Sequence, residues 1–319
     1  MRLAVTGATG FLGRRVVALA LEAGDTVRAL VRQGRGPLPP HPSLAVVPGH
    51  LEDPSAVAAL VEGADVVLHL AASGVQSRDR DWSRMVRVNV VGPVALVEAS
   101  AKARVGRLVA AGTCLEYAGH GRLPGAPAPE GAPLLAEDAA VETGNGYGAT
   151  KAAGGLVLRA LARERALPCW YLRIASLLGP GDDPDKLLPA AVDAALDGRG
   201  YDTSGGEQVR EWLHVDDAAR AVLAAARRDP PGAGAMLNVG TGEGVALRDA
   251  VRAAFAAAGA PADRVRLGAR PYAKGEVHRL VMDPARARAL LEWAPLRTFD
   301  DALAQVVAGT RAAREREGA

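Results

Sequence analysis

Thr6-Gly7-Ala8-Thr9-Gly10-Phe11-Leu12-Gly13 is the stretch that decides the fold of this chain. Before it, Arg2 to Val5 is short and apolar, as a buried parallel strand should be. Gly7 permits a tight turn, Gly10 lets the backbone come close to a pyrophosphate, and Gly13 allows close packing of helix on strand. A helix is expected from Phe11 to Ala23, its first amides at Phe11 and Leu12 and its positive dipole end aimed at phosphates. The spacing is G-x-x-G-x-x-G rather than G-x-G-x-x-G, so a bare strand-to-helix turn is the competing reading. The rest of the chain decides between the two.

Downstream, strand and helix patterns alternate, which predicts a parallel sheet with helices on both faces. Strands are expected at Thr26 to Val31, Leu44 to Val47, Asp65 to Leu70, Arg107 to Ala111 and Trp170 to Ala175. Long amphipathic helices are expected at Val86 to Lys102 and Tyr147 to Arg165. Gly34 to Pro42 and Gly121 to Pro133 read as surface loops, and the Glu/Arg-rich stretch after Thr310 as a frayed helix end. The fold class is α/β, a Rossmann-type doubly wound parallel sheet. Residues 1–172 form the dinucleotide-binding unit, with a return strand near 237–239. Residues 173–319 form mainly a smaller substrate-binding lobe, drawn from 176–212 and 241–319.

Composition fits a cytoplasmic enzyme. At 319 residues with 49% hydrophobic content, a packed interior is assured. A net charge of +2 offers no case for nucleic acid or an anionic membrane surface. The start runs directly into the first strand, which leaves no room for a signal peptide. No apolar run approaches the roughly 18 residues of a membrane span. Cys114 and Cys169, both expected in buried strands, suggest neither a disulfide framework nor a metal site.

Tyr147-Gly148-Ala149-Thr150-Lys151 puts a phenol and an ammonium one helical turn apart. A free tyrosine has a pKa of about 10 and is a poor base at neutral pH. The positive charge of Lys151 on the same face is expected to favour tyrosinate. Thr113 is expected at the C-terminal end of the fifth strand, where open α/β sheets place their ligands. Its hydroxyl would hold a substrate oxygen while Tyr147 gives or takes the proton.

Thr6 to Gly13, His69-Leu70-Ala71-Ala72, Asn89-Val90-Val91-Gly92, Thr113 to Tyr117, Tyr147 to Lys151, Leu172 to Pro180, Arg210 to Asp217 and Asn238-Val239-Gly240 succeed one another in the order seen in a known family. Over nearly its whole length the chain resembles the extended short-chain dehydrogenase/reductase superfamily, the nucleotide-sugar epimerases, dehydratases and reductases. The resemblance implies catalysis by Thr113, Tyr147 and Lys151, the lysine also holding the nicotinamide ribose. It implies cofactor contacts at Gly7, Gly10, Phe11, Leu12, Gly13, Leu70, Ala71, Ala72, Asn89 and Ile174. A nucleotide-diphosphate sugar would meet Ser73, Cys114, Ser176, Lys186 and Arg210, with Arg270 or Arg279 as a second diphosphate clamp. Asp216-Asp217 and His214 are expected to be structural, the pair tying a helix N-terminus to the sheet. The helices at 84–102 and 147–165 would pair with their copies in a homodimer.

Two finer expectations concern cofactor and reaction. The second strand ends Ala29-Leu30-Val31-Arg32, with Val31 where NAD enzymes usually carry the carboxylate that binds the ribose 2′-hydroxyl. Arg32 and Arg14 suit a 2′-phosphate, which favours NADP(H) over NAD(H). Leu51 is expected to wall the adenine, with His50 beside it. Relatives that dehydrate place Asp-Glu after the catalytic threonine; here Cys114-Leu115 stand in those positions. A reductase of a 4-keto nucleotide sugar is therefore favoured over an NAD-dependent 4-epimerase. A non-catalytic dinucleotide sensor, which would need none of Thr113, Tyr147 and Lys151, and a small non-sugar carbonyl substrate are the remaining alternatives.

Overall fold

A computed structural model describes residues 1–34, 36 and 38–317. Seven strands pair in parallel, in the spatial order Leu44–Pro48, Thr26–Val31, Arg2–Thr6, Val66–His69, Arg107–Thr113, Cys169–Ile174 and Ala235–Val239. The central ones are apolar on both sides because helices cover both faces: all four residues of Val66–His69 and all six of Cys169–Ile174 are buried. The chain order reverses between Arg2–Thr6 and Val66–His69. Such a switch opens a crevice beyond the carboxyl ends of the strands. Thr6, His69, Thr113, Ile174 and Val239 end their strands along that edge.

Alternation along the strands sorts the two cores. Leu3, Val5, Leu68, Val109 and Leu172 pack with the helices Phe11–Glu22 and Val215–Ala226. Ala4, Val67, Leu108, Ala110 and Tyr171 pack with Pro54–Val61, Gly92–Lys102 and Gly146–Glu164. Each fully buried leucine contributes on the order of 2 kcal/mol. A third core joins the helices Leu187–Leu196, Leu247–Ala257 and Phe299–Glu317 through Leu188, Val192, Phe255, Leu303 and Val306. No described helix is long and apolar enough to cross a membrane.

Several elements differ from expectation. The helix expected from Val86 begins at Trp82 and carries a π turn at Arg87–Val91 before continuing as Gly92–Lys102. Pro93 has no N–H to give to the carbonyl of Asn89, and Gly92 N bonds back to Arg87 instead. Cys114 lies in a 3₁₀ turn, Cys114–Glu116, past its strand; only Cys169 is within one. The expected loop at 121–133 contributes to the strand His120–Leu123, which pairs antiparallel with Glu276–Leu280 at the edge of a four-stranded sheet. In that sheet Glu276–Leu280 lies beside Val209–Arg210, which pairs in turn with Val245–Ala246. Of the expected loop 34–42, residues 35 and 37 lie outside the described residues. The C-terminal stretch is helical to Glu317, and residues 318 and 319 lie outside them too.

Candidate active site

Gly7 turns the chain with φ +73°, and a Cβ there would lie 2.6 Å from the backbone nitrogen of Ala71. A Cβ on Gly13 would come within 2.0 Å of the carbonyl oxygen of Gly7, so strand and helix meet backbone to backbone. Gly10 caps the helix Phe11–Glu22 and offers no side-chain acceptor to its first turn. The amides opening that helix can therefore serve an external anion, and this cradle fits a dinucleotide pyrophosphate. Arg14 is exposed, its Nε donating to Thr9 O at 3.0 Å, and Arg32 is exposed just past Val31. Leu51 is buried against Gly92, whereas His50 is exposed with Nδ1 3.8 Å from Glu52. Leu70, Ala71 and Ala72 line the rim half-buried, and Ile174 is buried in register with Thr113.

Thr113 ends its strand and caps the turn after it, Oγ1 accepting from Leu115 N at 3.3 Å. Asn145 caps the helix Gly146–Glu164 by accepting from Gly148 N at 2.8 Å, which sets where Tyr147 and Lys151 emerge. Both side chains are buried. Burial, reinforced by the charge of Glu116 and by Cys114, holds the Tyr147 phenol well above the ordinary tyrosine value; hydrogen bonding to the nearby Thr113 hydroxyl acts the other way. This corrects the expectation of a tyrosinate. Desolvation is the largest cause, and the pKa of Lys151 itself is lowered by burial and raised by Glu116.

Asn89 is buried and its side chain is engaged within the protein. Its amide donates to Ser73 O and to Thr150 Oγ1, each at 2.9 Å, and its carbonyl accepts from Ser73 N at 2.8 Å. It therefore fixes the buried Ser73 loop to the helix of Tyr147. Cys114 is buried beside Ser176, Glu211 and Arg210, and burial followed by the charge of Glu211 pushes its thiol up to about 12. Lys186 pairs with Asp182 at 2.7 Å and lies 5.5 Å above the Phe11 ring.

Arg210, expected at the diphosphate clamp, is engaged by groups of the chain itself. Arg210 gives its terminal nitrogens to Glu276 at 2.5 Å and to the carbonyls of Val209, Val277 and His278. In the parallel register Val209 faces Arg279 and Arg210 faces Leu280, so Arg210 and Arg279 project from opposite faces of the small sheet. Arg270 is exposed, its backbone N–H donating to Thr203 O at 3.1 Å.

Three buried groups escaped the sequence reading. Glu116 accepts from Thr113 N, from Tyr171 OH and from Arg173 Nε at 2.8 to 2.9 Å, bracing the threonine. Its signal was legible, because Thr113-x-x-Glu116 is a capping-box pattern. Glu211 joins Gly242 N at 2.7 Å to Met282 N at 3.0 Å, tying two loops that no local pattern connects. His69 Nδ1 meets Thr6 Oγ1 at 2.8 Å, and burial lowers its pKa to about 3. His214 caps the helix Val215–Ala226, but Asp216 and Asp217 reach Arg15 and the segment 296–297 rather than the sheet.

Comparison with known proteins agrees with this geometry. The model of the NAD dependent epimerase/dehydratase family matches residues 3–240. A dTDP-glucose 4,6-dehydratase of Streptomyces antibioticus is 31% identical, with 96% of this chain and 91% of the relative covered. A UDP-glucose 4-epimerase of Mycolicibacterium smegmatis is also 31% identical, covering 96% of this chain and 97% of that one. The dTDP-glucose 4,6-dehydratase DesIV of Streptomyces venezuelae, solved with NAD and TYD bound, superposes with a TM-score of 0.86 at 30% identity, covering 99% of this chain and 98% of that one.

Proposed function

Because the chain belongs to the NAD-dependent epimerase/dehydratase family of extended short-chain dehydrogenases/reductases, we propose that it reduces a 4-keto nucleotide-diphosphate sugar with NADPH. When bound, the nicotinamide supplies the hydride. Thr113 holds the carbonyl oxygen, and Tyr147, kept protonated by its burial, gives that oxygen its proton. Lys151 orients the ribose. Gly7, Gly10, Phe11, Leu12 and Gly13 cradle the pyrophosphate, Leu51 walls the adenine, and Leu70 to Ala72 with Ile174 flank the nicotinamide half.

The observation that carries this reading is the pair after Thr113. Dehydration needs an ionisable acid and base there. Cys114 is a thiol pushed up to about 12, neutral at physiological pH, and Leu115 is inert. Val31 with Arg14 and Arg32 supports a 2′-phosphate on the cofactor. The second reading is an NAD-dependent 4-epimerase, favoured by the NAD carried by the solved relative. The test is the nucleotide content of the purified protein, and then its turnover. NADPH-dependent loss of a 4-keto sugar nucleotide supports the reductase; tightly held NAD⁺ with interconversion of 4-epimers in the absence of added cofactor decides for the epimerase.

We also infer a homodimer through the helices at 84–102 and 147–165. Val86, Val91, Leu156 and Val157 are exposed on these helices, an apolar surface a second copy could cover. Light scattering at micromolar concentration should give twice the chain mass.

A further inference from the structure

Glu116, only 1% exposed, connects the two halves of the catalytic centre from behind. Its Oε1 accepts from Thr113 N at 2.9 Å and from the Tyr171 hydroxyl at 2.8 Å. Its Oε2 accepts from Arg173 Nε at 2.8 Å. The Tyr171 hydroxyl also lies 3.0 Å from the main-chain oxygen of Lys151, in the helix Gly146–Glu164. Two side chains thus bridge the backbone of Thr113 to that of Lys151.

Two glycines make room for this bridge. A Cβ on Gly112 would lie 2.7 Å from Glu116 Oε1 and 2.6 Å from Tyr171 Cε1. A Cβ on Gly155 would lie 2.4 Å from the Tyr171 hydroxyl oxygen. Neither glycine has a left-handed φ, so space is what requires them. The far end of the bridge is fixed as well. Arg173 gives a terminal nitrogen to Glu137 O at 3.1 Å and stacks 4.3 Å over the Tyr117 ring. A buried polar network with its members satisfied is rigid. On the catalytic side, Thr113 Oγ1 accepts from Leu115 N at 3.3 Å, which leaves its proton to donate to a ligand oxygen.

We propose that Glu116 is a positioning residue which, through Tyr171, sets the spacing between the Thr113 hydroxyl and the helical turn that bears Tyr147 and Lys151. It acts through these residues and not on the substrate. This rests on the Thr113–Tyr147–Lys151 assignment, which the reductase and epimerase readings above share. Without the bridge, strand end and helix can shift against each other by a fraction of an ångström. Proton transfer depends steeply on such shifts, whereas binding is spread over many contacts. Loss of the bridge therefore falls on kcat and spares KM.

The experiment compares the full chain with its Tyr171→Phe, Glu116→Gln and Glu116→Val variants in kcat, KM and cofactor affinity. The probes are dTDP-4-keto-6-deoxyglucose with NADPH and UDP-glucose without added cofactor, and kcat is referred to cofactor-binding sites so that unfolded chains do not count. Tyr171→Phe deletes the bridging hydroxyl and leaves the Glu116–Arg173 pair whole. It should lower kcat about tenfold and keep KM and cofactor affinity within about twofold. Glu116→Gln keeps an oxygen for Thr113 N and Tyr171, so it should retain more kcat than Glu116→Val, which keeps none. Should neither Glu116 variant fold, Tyr171→Phe decides alone. Unchanged kcat in Tyr171→Phe, a rise in KM in its place, or failure of that variant to fold overturns the positioning role, as does a glutamine variant no better than the valine one. Each of these leaves the assignment standing. If the wild type turns over neither probe, the positioning role and the assignment fall together.

Discussion

Gly154 approaches the backbone of Asn89 so closely that a Cβ on the glycine would lie 1.8 Å from the asparagine's carbonyl oxygen. Pro93 leaves that carbonyl without its usual α-helical donor, and the π turn at Arg87–Val91 lets the helix Gly146–Glu164 settle against it. The same two segments are joined by Asn89 Nδ2 and Thr150 Oγ1 at 2.9 Å, one residue before Lys151. Helix spacing here sets the position of the catalytic pair. Gly154→Ala must push the helix outwards, at a cost of about 3 kcal/mol or more, and kcat should fall with it. A denaturation midpoint that changes by less than about 1 kcal/mol of stability would refute this.

Tyr147→Phe removes one hydroxyl from a buried ring and should abolish turnover while cofactor affinity stays nearly intact. Thr113→Ala should slow turnover by about 10²-fold or more, through loss of the group that positions the carbonyl oxygen. Steady-state kinetics with cofactor titration measures both. Unchanged kcat in the phenylalanine variant would show that another group delivers the proton.

Cofactor preference tests the reading of the second strand. Wild type should favour NADPH over NADH by at least about tenfold, roughly 1.4 kcal/mol. Arg32→Asp should reverse the order, because a carboxylate repels the 2′-phosphate and accepts from a free 2′-hydroxyl. Paired Kd values for the two reduced cofactors decide it. Equal affinities in wild type would remove the case for NADP.

His69 makes stability depend on pH in a defined window. Its folded value is about 3 against an ordinary 6.5, because burial excludes the charged ring and Lys151 adds to the penalty. Between those values the unfolded chain binds a proton that the folded one refuses. Stability is therefore fully present above pH 6.5 and is lost as pH falls through the window, at up to about 1.4 kcal/mol per unit. His69→Gln cannot titrate and should flatten the curve between pH 6.5 and 5 by roughly 2 kcal/mol. Parallel curves for the two proteins in urea denaturation would contradict it.

Local chemistry made much of the molecule readable in advance. The Gly7, Gly10 and Gly13 turn, the apolar strands and the Tyr147–Lys151 spacing are decided within a few residues, so the doubly wound sheet and the position of Thr113 at its edge could be read directly. Long-range desolvation could not. The phenol of Tyr147 is pushed above the ordinary tyrosine value because the folded chain buries it near Glu116. Nor does any local pattern join Glu211 to Gly242 and Met282, or Glu276 to Arg210; these contacts exist only once strands distant in sequence lie side by side. Residue types and short spacings settled which groups are available for chemistry. Burial and strand register, which depend on the whole chain, settled their charge states and what each one holds.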